Sequence, residues 1–113
     1  APIATRQAVQ WMMVDSEVEI RACRWLIWEA AWQYDAGEDF RQAASIAKVF
    51  SADILGKVVD RAIQIHGGYG VTKALPLERW YREARVRRIG EGPTEIQKMV
   101  IAREILNPGG PPG

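Results

Sequence analysis

No glycine or proline interrupts residues 4–36, so nothing in that stretch stops a helix once it has begun. Within it Trp11, Val14, Val18, Trp25, Trp28 and Trp32 recur at steps of three and four. That is the spacing of one long amphipathic helix, and Gly37 closes it. Arg21 falls on the same stripe and reads as a snorkelling side chain rather than a buried partner site. Asp39 is placed to cap a second helix through His66, with Ala43, Ala47, Phe50, Ile54, Val58, Ala62 and Ile65 on one face. The alanines there permit close approach by a neighbour.

Gly67-Gly68-Tyr69-Gly70 then breaks the helix, since three glycines in four residues favour backbone shapes with positive φ. A shorter third helix is expected from Pro76 to Val86. Gly90 and Gly92 separate it from a fourth, over residues 93–106. The Gly/Pro tail, residues 107–113, cannot continue a helix and is expected to be flexible. No segment of useful length alternates strictly, so the fold class is all-α, an antiparallel (up-and-down) four-helix bundle. The five tryptophans are expected to fill the core and interfaces, because most of them sit at helical spacing on one face.

Composition narrows the function classes. A chain of 113 residues, 48% hydrophobic and 26% charged, is the size of one domain. Fifteen basic against fourteen acidic residues leave a formal charge of +1, so no overall field draws the protein to nucleic acid or an anionic membrane. With one cysteine, Cys23, and one histidine, neither an internal disulfide nor a Cys/His metal cluster can be assembled. The apolar runs are far shorter than the roughly 20 residues that cross a bilayer, and the start of the chain lacks the apolar region of a signal peptide. A soluble, intracellular protein is expected, cytoplasmic before mitochondrial.

Among the motifs, QIHGGYG lacks the spacing of a dinucleotide fingerprint and follows a helix where that motif follows a strand. On local grounds it is a helix end and turn whose bare backbone can admit a flat or phosphorylated ligand. His66 sits where the helix dipole favours it and needs no further role. Arg82, Arg85, Arg87 and Arg88 are interleaved with Glu83 and read as a solvated or subunit-facing strip. Glu91 is the most informative residue. Pro93 and Glu95 already supply the start signals of the fourth helix, so Gly90 and Gly92 are not explained by capping. Two glycines remove steric cover from a carboxylate, which suits a base that must reach a ligand atom.

Residues 64–106, QIHGGYGVTKALPLERWYREARVRRIGEGPTEIQKMVIAREIL, closely resemble the C-terminal domain of the acyl-CoA dehydrogenases. The family pattern runs Q-I-x-G-G-x-G-[YF], then P-x-E-R-x-Y-R-[DE]-A-R, I-Y-E-G-T-x-[EQ]-I-Q and V-I-A-R-E. The opening PIATRQAVQ extends the resemblance over residues 1–106. It implies an FAD enzyme that oxidises acyl-CoA to trans-2-enoyl-CoA, with α-proton removal by a carboxylate, β-hydride transfer to the flavin and reoxidation by electron-transfer flavoprotein. By position Glu91 matches the catalytic base, and its N–H the donor to the thioester carbonyl. Gln7, Gln64, Gly67 and Gly68 match positions that contact FAD, partly across a dimer interface. Thr94 and Glu95 match cofactor positions after the base, and Gly90 and Gly92 flank the acyl group.

Two departures are visible: Pro93 stands for the usual threonine and Gly90 for the usual tyrosine. Family members also place R-x-x-F-G immediately before the residue matching Ala1. The chain is therefore expected to be a fragment of a larger flavoprotein, inactive alone and a homo-oligomer (dimer or tetramer). Neither nucleic acid nor membrane is an expected partner. An acyl-CoA oxidase, a DNA-associated relative and a purely structural bundle remain alternatives within the resemblance.

Overall fold

A computed structural model describes residues 1–90 and 93–108; Glu91, Gly92 and the tail residues 109–113 lie outside the described residues. Four α-helices account for most of the rest: α1 (Gln7–Asp35), α2 (Arg41–His66), α3 (Leu77–Arg87) and α4 (Thr94–Leu106). All-α is the observed class, and no strand occurs among the described residues.

The helix ends follow local chemistry. A 3₁₀ turn, Ile3–Thr5, takes the first residues that were expected in the long helix, and extended backbone at Arg6 (φ −82°, ψ 128°) separates it from α1. At the other end Gly37 takes φ 74°, and the Glu38 N–H reaches back to the Gln33 carbonyl at 2.9 Å, which satisfies a carbonyl the last turn would leave open. Asp39 performs the expected capping from one residue outside the N-cap position, which Phe40 holds. Its Oδ1 accepts the Arg41 N–H at 3.1 Å, and its two oxygens take the Arg41 guanidinium at 3.0 and 2.8 Å. Pro76 and Pro93 are likewise N-caps rather than first-turn residues.

Packing centres on α2: α1, α3 and α4 each pack against it, and among the described residues they do not pack on one another. The reason is in its side chains. Ala43, Ser45, Ala47 and Ala52 are buried, so three helices can approach one axis closely, while Ile54 and Val59 supply larger apolar surface. Burying each of those two is worth about 1.5–3 kcal/mol. From the short helices, Leu77 and Ala84 enter the same core.

The face that α1 turns to α2 departs from the expected one. The half-buried positions are Val9, Met12, Ser16, Glu19, Cys23, Leu26, Ala30 and Gln33. The tryptophan stripe is exposed instead, as is Trp80 on α3, so the tryptophans do not fill the core of this chain. The smaller stripe wins because it fits the alanine-lined side of α2 and carries a specific pair. Arg61 of α2 donates to both oxygens of Glu19 at 2.8 and 3.3 Å and to Ser16 Oγ at 3.3 Å. Arg21 is exposed, as expected, and pairs with Glu17 at 2.8 Å.

The Arg41 contact makes the capping carboxylate easy to follow. It holds Asp39 down from 3.8 to about 2, chiefly through the side-chain hydrogen bond. A depressed carboxylate stabilises the fold above its ordinary pKa, and that contribution fades as pH falls from about 3.8 toward about 2. NMR titration of the Asp39 carboxyl carbon is expected to show a midpoint near 2, and Arg41→Ala is expected to return it toward 3.8.

Candidate functional site

At the C-terminal end of α2 the chain turns through a 3₁₀ segment, Gly67–Val71. Gly67 alone of its three glycines has positive φ (64°, ψ −145°); Gly68 and Gly70 depart from the expected positive φ because the segment winds as a 3₁₀ turn. Gly70 is required for a different reason. A Cβ there would lie 2.7 Å from the Ile63 carbonyl oxygen and 3.2 Å from the His66 Cβ, so only a bare residue lets the turn seat on α2. At Gly67 and Gly68 nothing lies within 4 Å of the added atom, and both are exposed beside exposed Gln64. His66 is occupied locally: its Nδ1 sits 2.8 Å from the Ala62 carbonyl, which can only accept, so Nδ1 carries the proton.

Gln7 belongs to this end as well. The Glu19–Arg61 pair sets α1 antiparallel to α2, so Gln7, on the N-terminal side of Glu19, lies toward the end of the bundle from which the glycine turn grows. Gly90, Thr94 and Glu95 form a second group where α3 gives way to α4. The Ile89 and Gly90 N–H groups return to the Val86 carbonyl at 2.9 and 2.8 Å, and the Thr94 N–H reaches the Arg88 carbonyl at 3.2 Å. Lys48 of α2 donates to the Arg87 carbonyl at 3.4 Å, which ties this junction to the other half of α2. Gln64 lies sixteen residues beyond Lys48, a rise of about 24 Å. The expected cofactor positions therefore fall into two groups, and within one chain they do not meet.

Beside the second group lies a cleft of about 980 Å³ between α1, α2 and the end of α3, lined by Ile20, Ile27 and Trp28 from α1, Leu55 and Val58 from α2, and Val86 and Gly90. Arg24, Lys48 and Arg87 place positive charge on its lining. A Cβ at Gly90 would meet only the Val86 carbonyl oxygen, at 3.5 Å. Gly90 is thus free of any backbone demand for glycine, and its missing side chain is space in the cleft. The α1 contribution was not among the expected site residues. Its signal was a second seven-residue repeat, Met13, Ile20, Ile27 and Tyr34, beside the tryptophan stripe. Among the described residues no three His, Cys, Asp or Glu side chains converge to hold a metal, and no described helix is long and apolar enough to cross a membrane.

Comparison with known proteins places this geometry. Residues 1–106 match the family description "Acyl-CoA dehydrogenase, C-terminal domain". The chain is 44% identical over 105 residues to 3-(aryl)acrylate reductase of Clostridium sporogenes, covering 93% of this chain and 28% of that protein. It is 42% identical, with the same coverage of each, to cyclohexane-1-carbonyl-CoA dehydrogenase of Geobacter metallireducens. Its fold superposes on butyryl-CoA dehydrogenase of Megasphaera elsdenii with a TM-score of 0.92 at 34% identity, over 95% of this chain and 28% of that one. The chain thus spans little more than a quarter of the length of these relatives.

The glycines of the turn separate by role under substitution. Gly67→Ala forces an L residue into the left-handed region and is expected to cost about 1–3 kcal/mol. Gly70→Ala is expected to destabilise through its backbone clash, whereas Gly68→Ala should be near neutral. Urea midpoints of the three variants check this order.

Proposed function

The chain belongs to the acyl-CoA dehydrogenase family, as its C-terminal helical domain, and from that premise we propose that its full-length protein is an FAD enzyme that dehydrogenates an acyl-CoA. The observation that carries the reading is Gly90. It immediately precedes Glu91 in sequence and lies on the wall of an apolar cleft. In this reading the Glu91 carboxylate takes the α-proton of the thioester, and the Glu91 N–H donates to the thioester carbonyl, where negative charge develops. Gly92 keeps the other side of the carboxylate open. One relative is a reductase and another a dehydrogenase; the same carboxyl group serves either direction, accepting the α-proton in one and returning it in the other.

The residues present fit a flavin nucleotide. Gly67 and Gly68 offer exposed backbone with open space above it, beside the amide of Gln64 and at the same end as Gln7. Thr94 and Glu95 offer a hydroxyl and a carboxylate at the first turn of α4. FAD, when bound, supplies the two-electron acceptor that dehydrogenation needs. The roughly 24 Å rise between the two groups supports their serving two different cofactors of a homo-oligomer, one group completing a site on a partner subunit. Acyl-CoA as substrate and electron-transfer flavoprotein as the onward acceptor complete the proposal, with a soluble cytoplasmic location. Residues 1–106 act in it as the bundle that carries the base, and the isolated chain has no activity of its own.

The vacancy at Gly90 extends the reading to substrate shape. A site with hydrogen in place of a ring favours a bulky acyl group, since an unfilled space lowers binding of a small one. The names of two relatives, an aryl acrylate reductase and a cyclohexane carbonyl-CoA dehydrogenase, refer to ring-bearing acyl groups, which supports the same direction.

Two outcomes are expected of the full-length protein. Glu91→Gln keeps its FAD and loses substrate-driven flavin bleaching by about 10²–10⁴-fold; bleaching at the normal rate would remove Glu91 from its role. Gly90→Tyr lowers kcat/KM for a branched or cyclic acyl-CoA by about 10–200-fold relative to butyryl-CoA. A chain-length profile unmoved by Gly90→Tyr would show that another side chain already occupies the space.

A further inference from the structure

We propose that Lys48 is a positioning residue for the loop that carries Glu91: by holding the Arg87 carbonyl at the end of α3, it sets where that loop begins. The inference rests on the reading of Glu91 as the base and adds to it a residue on a different helix.

Carbonyls at the end of a helix need partners from outside its regular ladder. At the end of α3 most find them nearby. Arg85 takes the Arg88 N–H at 3.3 Å, Val86 takes the Ile89 and Gly90 N–H groups at 2.9 and 2.8 Å, and Arg88 takes the Thr94 N–H at 3.2 Å. Arg87 differs, because the donor to its carbonyl is the Lys48 ammonium of α2, at 3.4 Å. That end of α3 is the negative end of its dipole, where a cation is favoured. An ammonium is a compact charge with three rotatable donors, so it holds a carbonyl without the strict geometry of a planar group. Lys48 is half-buried on a stretch of α2 whose neighbours Ala44, Ala47, Ser51 and Ala52 are all small, which lets α3 come within its reach. Both partners belong to helices that pack on each other, so the contact stands whatever covers the outer faces of the domain.

Among the described residues, little else holds the segment between Arg87 and Thr94. There α3 and α4 do not pack on one another, and a Cβ at Gly90 would meet only the Val86 carbonyl oxygen. The loop is therefore held from its ends. At the downstream end Thr94 folds back on the Arg88 carbonyl through its N–H at 3.2 Å and its hydroxyl at 3.5 Å; at the upstream end stands Lys48 on Arg87. Glu91 is midway in sequence, three residues from both Arg88 and Thr94. A base must stand within hydrogen-bond reach of the proton it takes, and a misplacement of about 1 Å can cost about 10²-fold in rate. Lys48 in this account acts through Glu91 and not on the substrate.

In the FAD-loaded full-length protein, Lys48→Met is expected to slow anaerobic flavin bleaching by a cyclic acyl-CoA about 10–100-fold, while the half-saturating concentration moves by less than about threefold. Lys48→Arg, which keeps a charged donor, should recover most of the rate. Hydrogen exchange reads the loop apart from activity: amides of residues 86–94 should exchange about tenfold or more faster in Lys48→Met, and those around Glu19 on α1 should keep their rate. Because Lys48 acts through Glu91, adding Lys48→Met to Glu91→Gln should slow bleaching no further. Unchanged exchange over residues 86–94, a multiplied loss in the double variant, or a Lys48→Arg rate no better than that of Lys48→Met overturns the proposal. If Glu91→Gln itself bleaches at the normal rate, the base reading falls and this inference with it, whereas a slow Glu91→Gln beside a normal Lys48→Met overturns the positioning role alone.

Discussion

Everything in this chain hangs on the ability of α2 to be approached from three sides. Ala43, Ser45, Ala47 and Ala52 are all but withdrawn from solvent, and none of them holds a neighbouring helix at a distance. No large side chain is fully buried among the described residues, so stability rests on close backbone approach more than on a thick apolar centre. Close approach of small side chains is weakly directional. Register must come from elsewhere, and the Arg61–Glu19 pair supplies it. Both side chains are only about a fifth exposed, and the contact holds the arginine more firmly protonated than usual. Such a pair adds little net stability compared with an apolar replacement, but losing one partner strands a charge. Its effect is to specify which turn of α1 meets which turn of α2.

Because α2 organises the packing, it also spaces the functional groups. The glycine turn grows from its C-terminal end, seated by Gly70 against Ile63, while the α3–α4 junction is tied to Lys48 nearer its other end. A rigid helix keeps those two places apart by about 24 Å. On the proposed reading, a domain of this design contributes to two separate sites and closes neither by itself.

Much of this was legible in the sequence. The four helices were readable because Gly37, Gly67, Pro76 and Pro93 punctuate the pattern, and the Asp39 cap differs from expectation by one position. The motifs over residues 64–106 carried the family, and the family description covers the same 1–106 span. What could not be read was which stripe of α1 faces inward. Hydrophobicity ranks the tryptophan stripe first, yet Ser16, Glu19, Cys23 and Gln33 mark the packed one, because small size and one ion pair decide the contact with α2. The glycine turn was read for positive φ at several residues, whereas only Gly67 uses it and Gly70 answers to a steric limit imposed by a residue seven positions earlier. Glu91 and Gly92 lie outside the described residues, so their assignment rests on the motif and on the cleft beside Gly90.

The central claim is that one chain serves two cofactors. A structure of the full-length protein with FAD bound tests it most directly, by identifying which subunit supplies each group around a single flavin nucleotide. The account predicts Thr94 and Glu95 from one subunit, with Gln64, Gly67 and Gly68 from another. A flavin enclosed by both groups of the same subunit would contradict it.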